Sequence, residues 1–158
     1  MTPADLDGVV ETAAEAFPNH PEDRNCFADR LGLFPAGCQV LADATGAVAG
    51  YLIAYPWLLD DAPTLNARLD ALPEGADVLY LHDLALKRAV RGGGHAGVGA
   101  DLAVATARKA GLDRIALVAV NDAGPFWARK GFEPRHSPAM AAKLAGYGAD
   151  ALYMIRRA

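Results

Sequence analysis

The clearest chemical signature in the sequence is a basic, glycine-rich turn at residues 88–94. An apolar strand predicted over residues 78–86 runs into this turn, and a helix predicted over about 95–110 follows it. Glycines let the backbone approach an oxyanion, free N–H groups at a helix N-terminus point at it, and the helix dipole favours negative charge. The pattern predicts a site for a cofactor that carries a pyrophosphate.

Two classes of cofactor compete for this turn. Gly92, Gly94 and Gly97 have the spacing of the dinucleotide fingerprint G-x-G-x-x-G. In dinucleotide folds, however, the first glycine directly follows a strand, and an acidic residue comes about 20 positions later. Here the segment 87–91 separates the strand from Gly92, and the acidic residue after the next strand comes too late. A nicotinamide or flavin is therefore the weaker of the two interpretations.

Two motifs carry a resemblance to a known family. Residues 91–96, RGGGHA, fit the [QR]-x-x-G-x-[GA] signature of the GNAT (Gcn5-related) N-acetyltransferases, and residues 121–134, NDAGPFWARKGFEP, are similar to that family's second landmark. The resemblance covers residues 76–135 well and the N-terminal third in outline. It implies an α/β GNAT fold with a central mixed, mostly antiparallel sheet of six to seven strands flanked by helices. One domain over residues 1–158 would hold CoA in a splayed pair of strands.

The resemblance also implies a cofactor and its contacts. Acetyl-CoA would place its pyrophosphate on the turn and pair its pantetheine arm with the backbone at the end of the strand, where the Leu86 amide is the expected oxyanion donor. Asn121 and Phe126 would line the other side of the arm. The complete expected set of cofactor contacts is Leu84, Ala85, Leu86, Arg91, Gly92, Gly93, Gly94, His95, Ala96, Gly97, Asn121, Phe126 and Trp127.

His82 and Tyr80 are the candidate catalytic side chains of this strand. Strict alternation predicts that both share a face with Leu84 and Leu86 and that Asp83 points to the opposite face. The segment is similar to arylalkylamine N-acetyltransferases, whose catalytic histidine falls at His82. A second histidine of those enzymes falls at Tyr80, which is a departure. A histidine is suited to accept a proton at neutral pH, although a hydrogen-bonded structural histidine is the alternative.

Trp127 marks a further departure from the family pattern. Many GNAT enzymes have a tyrosine at this position that protonates the departing thiolate, and an indole is no practical acid. In one interpretation the proton comes from solvent or from Tyr80, Tyr147 or Tyr153, while Trp127 packs under the pantetheine arm. In the other, the chain is a GNAT-fold module that binds acyl-CoA with little or no catalysis.

Composition sets the remaining expectations. The 158 residues are 53% hydrophobic and 22% charged with a net charge of −4, which indicates a globular domain and gives no support for binding to nucleic acid or a membrane. The first residues lack the features of a signal peptide, so we expect a cytoplasmic protein. Two cysteines and four scattered histidines do not predict a metal site. The expected partner is a small-molecule primary amine, and homodimers are common among similar proteins.

Hydrophobic patterning and turn residues predict the other elements. A long loop at 56–75 contains a possible short helix at 64–72. The resemblance implies that this loop borders the acceptor site, so we expect it to shape the choice of acceptor. The acidic residues Glu22, Asp23, Asp60 and Asp61 could attract a cationic acceptor, but charged loop residues are usually solvated. Asp122 is a predicted helix cap. The predicted helices are 5–16, 22–33 and one before Gly131, the predicted strands are 38–43, 47–55, 114–120, 132–135 and 151–157, and 138–148 is helix or loop.

Overall fold

A computed structural model describes all of residues 1–158 and contains six strands and five α-helices. The sheet order is β1-β2-β3-β4-β6-β5, and every neighbouring pair is antiparallel except β3 and β4. The predicted α/β fold is confirmed, with six strands. In chain order the elements are α1 (Leu6–Ala16), α2 (Arg24–Leu33), β1 (Cys38–Ala42), β2 (Val48–Trp57), β3 (Val78–Leu86), α3 (His95–Lys109), β4 (Arg114–Ala119), α4 (Gly124–Arg129), β5 (Glu133–Pro134), α5 (Pro138–Leu144) and β6 (Leu152–Arg157).

The sheet divides between its two parallel strands. Strands β3 and β4 pair only at Leu79 with Ile115 and Tyr80 with Ala116, after which they separate. On its other side β3 stays paired with β2, and the Lys87 amide donates to the Ala49 carbonyl at 2.8 Å. Because antiparallel pairing bonds alternate residues, the backbone N–H and C=O groups of residues 84 and 86 face the opening between β3 and β4.

A β-bulge interrupts the pairing of β2 with β3. Ile53 lies opposite Asp83 and Ala54 lies opposite Leu81, so His82 is the extra residue. A bulge shifts the alternation of side chains by one position. The strict alternation assumed from the sequence therefore fails at His82.

The bulge brings His82 and Asp83 to the same face of the sheet. Asp83 accepts a hydrogen bond from the Tyr51 hydroxyl at 2.8 Å, on the face covered by α1 and α2. Leu84 and Leu86 lie on the other face, against α3. The predictions that Asp83 points away from His82, and that Leu84 and Leu86 share its face, are both wrong for this reason.

Helices pack on both faces of the sheet and form two apolar cores. Buried side chains of α1 and α2, including Val9 and Phe27, cover one face. Small side chains of α3, Ala100, Ala103 and Ala107, let that helix lie close against the other face. These cores hold β3 and the start of α3 in place, and with them the glycine turn that joins the two elements.

The segment between β2 and β3 contains no helix, so the helix predicted at 64–72 is wrong. Asn66 and Asp70 have left-handed backbone angles, φ 51° and 58°, which interrupt helical geometry. The Asn66 amide donates to Glu22, and the Leu69 amide donates to Asp29 of α2. Side chains of the N-terminal region therefore satisfy the backbone that a helix would have satisfied internally.

Two other local predictions are resolved near the C-terminus. Residues 138–144 of the undecided segment form α5, and a turn follows. Asp122 does not cap α4, because it has a φ of 56° and lies one residue outside the N-cap position, which Ala123 occupies.

A substitution at Gly37 tests the close contact between the segment just before β1 and the backbone of β2. A Cβ atom at Gly37 would lie 1.9 Å from the Ala54 carbonyl oxygen, which cannot rotate away. We expect Gly37→Ala to lower the free energy of unfolding by about 2 to 3 kcal/mol in urea denaturation. Gly32→Ala, a helical position with open space around it, is the matched control and should not destabilise the protein. Equal stability of the two variants would contradict this packing.

Candidate active site

A groove of about 660 Å³ lies between the separated ends of β3 and β4 and the N-terminus of α3. Twelve of the thirteen residues predicted to contact the cofactor line it: Leu84, Ala85, Leu86, Arg91, Gly92, Gly94, His95, Ala96, Gly97, Asn121, Phe126 and Trp127. Gly93 does not line it. A Cβ atom at Gly93 would lie 3.0 Å from Nε2 of the His95 ring.

The glycine turn presents unpaired amides to the groove. Gly92 and Gly94 have φ angles of 82° and 81°, which non-glycine residues rarely adopt. The five successive amides of residues 92–96 donate to no acceptor in the protein, and α3 extends 15 residues behind them. Arg91 and Lys130 add positive charge at the rim. This arrangement fits a pyrophosphate by backbone donors, helix dipole and charge.

A smaller cavity of about 100 Å³, which we call the inner cavity, opens off the groove. Fourteen of its eighteen lining residues are apolar or aromatic, and its polar side chains include Glu22, His82 and Asp83. The inner cavity is continuous with the groove through residues that line both: Phe17, Leu84, Val120, Ala123 and Trp127.

Glu22 is the centre of a buried hydrogen-bond cluster beside the inner cavity. Its Oε2 lies 2.7 Å from His82 Nε2, and its Oε1 accepts from Arg30 Nη2 at 3.1 Å and from the Asn66 amide at 3.0 Å. The side chains of Arg30, His82 and Glu22 are 0%, 3% and 4% exposed. The cluster therefore joins α2, the loop before β3 and the bulge of β3.

The charges of this cluster determine which nitrogen of His82 is free. Burial by itself raises the pKa of Glu22, but His82 and Arg30 outweigh it and lower that pKa from 4.5 to about 2. An ionised carboxylate only accepts hydrogen bonds, so His82 Nε2 carries the proton. In a neutral imidazole Nδ1 is then the nitrogen with the lone pair, and it makes no hydrogen bond in the protein. His82 itself lines the inner cavity.

Asp83 supplies a second polar atom at the same place. Its Oδ2 accepts from Tyr51, whereas Oδ1 has no partner and is not among the buried unpaired atoms. Burial raises the pKa of Asp83. Glu22, His82 and Asp83 each offer one ligand-type atom within 4.8 Å of the others. Because a guanidinium already bonds to Glu22, the group is better suited to proton transfer than to holding a metal ion.

Arg30 is a member of this cluster that the sequence analysis did not name, and the burial of Glu22 was not expected. Glu22 was expected to be solvated, but it is buried because the loop at Asn66 closes over it. One signal could have revealed the cluster. Arg30 follows Cys26 and Phe27 on the buried face of α2, where a charged side chain requires a buried partner.

Tyr147 lines the inner cavity and not the groove. Its hydroxyl donates to the Pro63 carbonyl at 3.0 Å, and its own carbonyl bonds to His20 Nε2 at 2.9 Å. Asp60 holds the same loop with a bidentate contact to Arg135, both distances being 2.7 Å. The loop at 56–75 therefore contributes to the wall of the cavity through Leu65, and its role in the choice of acceptor stays a prediction.

The other predicted aromatic residues lie in different positions around the cavity. Tyr80 and Tyr147 line it, and burial raises the pKa of both. Tyr153 lies outside it and accepts from the Asp60 amide. Trp127 is 7% exposed and lines both the cavity and the groove, so no hydroxyl stands at the position of the family's tyrosine.

The sequence of the chain matches a known protein family. The family model described as the acetyltransferase (GNAT) family matches residues 6–132. No curated protein sequence matches the chain. In the structure, no helix is both long enough and apolar enough to cross a membrane.

Solved structures match over nearly the whole chain. Ard1 from Thermoplasma volcanium is 16% identical, with 99% of this chain and 93% of that chain covered and a TM-score of 0.75. The GphF GNAT-like decarboxylase in complex with isobutyryl-CoA is 21% identical, with 99% and 96% covered and a TM-score of 0.72. The N-acetylglutamate synthase from Neisseria gonorrhoeae, complexed with coenzyme A and N-acetyl-glutamate, is 16% identical, with 93% and 32% covered and a TM-score of 0.67. At these low sequence identities, the similarity shows that the fold is shared and nothing more.

Proposed function

Because the chain belongs to the acetyltransferase (GNAT) family, we propose that it moves an acetyl group from acetyl-CoA to the primary amine of a small molecule, with His82 as general base. The observation that carries this proposal is the 2.7 Å contact between His82 Nε2 and Glu22, which leaves Nδ1 as the ring nitrogen without a protein partner on a residue that lines the inner cavity. The narrower resemblance to arylalkylamine N-acetyltransferases stays a prediction.

The groove supplies the expected contacts for the cofactor. The amides of residues 92–96, with Arg91 and Lys130, would hold the pyrophosphate, and the backbones of Leu84 and Leu86 would pair with the pantetheine arm. Acetyl-CoA supplies an activated thioester when it is bound. Structural neighbours that bind coenzyme A or isobutyryl-CoA support this assignment.

His82 and its neighbours would move the proton. His82 Nδ1 accepts a proton from the ammonium group of the acceptor, which leaves a neutral amine with a free electron pair. Glu22, 2.7 Å from the opposite nitrogen, stabilises the resulting imidazolium. The Leu86 amide faces the opening between β3 and β4 and is the proposed donor to the carbonyl oxygen of the thioester.

Trp127 motivates a second candidate function, an acyl-CoA-binding module with little or no catalysis. It lines both cavities at the position where an acid is expected. A thiol with a pKa near that of cysteine, about 8.5, is nevertheless a tolerable leaving group without an acid. A thiol-release assay over a panel of amines separates the two functions. Turnover supports the enzyme, and tight acetyl-CoA binding without turnover supports the module.

Acetyl-CoA binding is the first prediction of this proposal. Acetyl-CoA at about 100 times its dissociation constant should stabilise the fold by about 2.7 kcal/mol, which thermal denaturation detects, while NADH and NADPH should have no effect. Lys130→Met should weaken acetyl-CoA binding, because Lys130 lines the groove. Lys109→Met, at the exposed far end of α3, is the matched control. Stabilisation by a nicotinamide alone would reject the CoA assignment.

A further inference from the structure

The charged side chains around the inner cavity restrict the amines that could be accepted. Its two carboxylates are Glu22 and Asp83, and no lysine or arginine lines it. An acceptor with a carboxylate of its own would therefore lose water at that group without gaining a cationic partner. Burying an unpaired charge is costly, so amino acids and other carboxylated amines fit this cavity poorly.

Only one of the two carboxylates is available to an acceptor. The charge of Glu22 is matched by Arg30, and both of its oxygens are already hydrogen-bonded. Asp83 has a neutral partner, Tyr51, at Oδ2 and an unpaired Oδ1. A single ammonium group can thus bond to Asp83 and to His82 Nδ1 together. Apart from the tyrosines, the remaining ionisable side chain of the lining is His20, so a second ammonium would meet no further carboxylate, which disfavours polyamines.

The size and lining of the inner cavity limit the remainder of the acceptor. Its volume is about 100 Å³, whereas benzene fills an apolar cavity of about 150 Å³. Phe17, Phe27 and Leu65 supply apolar walls, and Tyr147, whose hydroxyl bonds to Pro63, lines the cavity as well. This volume favours an alkyl chain of a few carbons over a peptide or an aromatic ring with a linker.

We propose that the acceptor is a short alkylamine with one positive charge and no carboxylate, and that Asp83 binds its ammonium group beside His82. This inference rests on the proposed function and names its substrate class. The bulge in β3 is what makes it possible, because regular alternation would place Asp83 on the opposite face from His82. Asp83 is a specificity-determining residue in this view, and His82 remains the base.

Kinetics of Asp83→Asn with two amines of similar size test the role of Asp83. Near neutral pH, ethylamine is charged and 2,2,2-trifluoroethylamine is uncharged. We expect the variant to raise KM for ethylamine by about 10- to 100-fold, the effect of losing one charge-assisted hydrogen bond, and to leave KM for trifluoroethylamine unchanged. In both cases kcat should stay within about threefold of wild type.

Two controls show whether a change in KM comes from the role of Asp83 in binding. Asparagine can still accept from Tyr51, and unchanged stabilisation by acetyl-CoA shows that the variant is folded. Asp113→Asn, at an exposed carboxylate, should change neither KM. An unchanged KM for ethylamine, or an equal loss of kcat for both amines, would overturn the role of Asp83 in binding.

A panel of acceptors tests the substrate class. We expect kcat/KM for propylamine to exceed that for alanine, 1,3-diaminopropane and phenethylamine by at least about tenfold. Leu65→Ala should shift the preference to longer alkylamines, and Leu58→Ala, in the same loop but outside the cavity, should not. Preference for a larger or carboxylated amine overturns this inference and leaves the proposed function intact. No turnover of any amine despite acetyl-CoA binding overturns the proposed function itself.

Discussion

Replacing His82 with alanine should lower kcat by about 100- to 10,000-fold, the usual contribution of a general base. The affinity for acetyl-CoA should stay within about twofold of wild type, because His82 lines the inner cavity and not the groove. Thiol release under saturating amine measures kcat, and titration of acetyl-CoA against the thermal midpoint measures its affinity. A loss confined to kcat is the result expected of a base.

Two comparisons make the His82 result specific. His136→Ala removes an exposed histidine from a loop outside both cavities and should leave kcat unchanged. Added imidazole should restore part of the activity of His82→Ala, because a small base can enter the space that the side chain leaves. Wild-type kcat in His82→Ala would assign the proton transfer to another group.

Replacing Glu22 with glutamine should lower the free energy of unfolding by about 3 kcal/mol near neutral pH. The side chain of Arg30 is fully buried, and this change removes the negative charge that compensates it. Breaking a buried ion pair from one side is strongly destabilising, because one charge stays in the interior without its partner. Urea denaturation measures the difference. Glu74→Gln, at an exposed loop position, is the matched control and should be neutral.

The pH dependence of this difference follows from the lowered pKa of Glu22. The pKa falls from 4.5 to about 2 in the folded protein, which corresponds to about 3 kcal/mol. A depressed carboxyl pKa stabilises the fold fully above the unfolded value and loses that contribution as pH falls toward 2. Wild type and Glu22→Gln should therefore differ most above about pH 5 and converge near pH 2. A difference that persists at pH 2 would mean that the charge of Glu22 is not its cause.

A double substitution separates the charge of Arg30 from the packing of its neighbours. Adding Arg30→Met to Glu22→Gln removes both members of the ion pair, and apolar replacement of a buried pair is often neutral or stabilising. The double variant should recover part of the stability that Glu22→Gln loses. If it is less stable than either single variant, the packing of the arginine stem outweighs its unpaired charge.

The elements that could be read from the sequence are those determined by neighbouring residues. Strand β3 has the predicted limits, 78–86, and α3 begins at His95 as predicted. A glycine turn is a local property, because positive φ angles and unpaired helix amides depend on a few consecutive residues. The groove is also lined by twelve of the thirteen residues named for it in advance. The fold class followed from the same motifs through their resemblance to a family.

The set of side chains that meet at the inner cavity could not be predicted in this way, because it depends on the tertiary structure. Glu22 and His82 are 60 residues apart, and whether a loop carboxylate is solvated or buried depends on the segment that closes over it. The bulge that brings Asp83 beside His82 arises from the register of β2 against β3, which a single strand's alternation cannot reveal. The sequence by itself determined the fold, the glycine turn and His82 as a candidate base. Only the packing of distant segments decided which charges meet at that base, because burial and strand register are long-range properties of the chain.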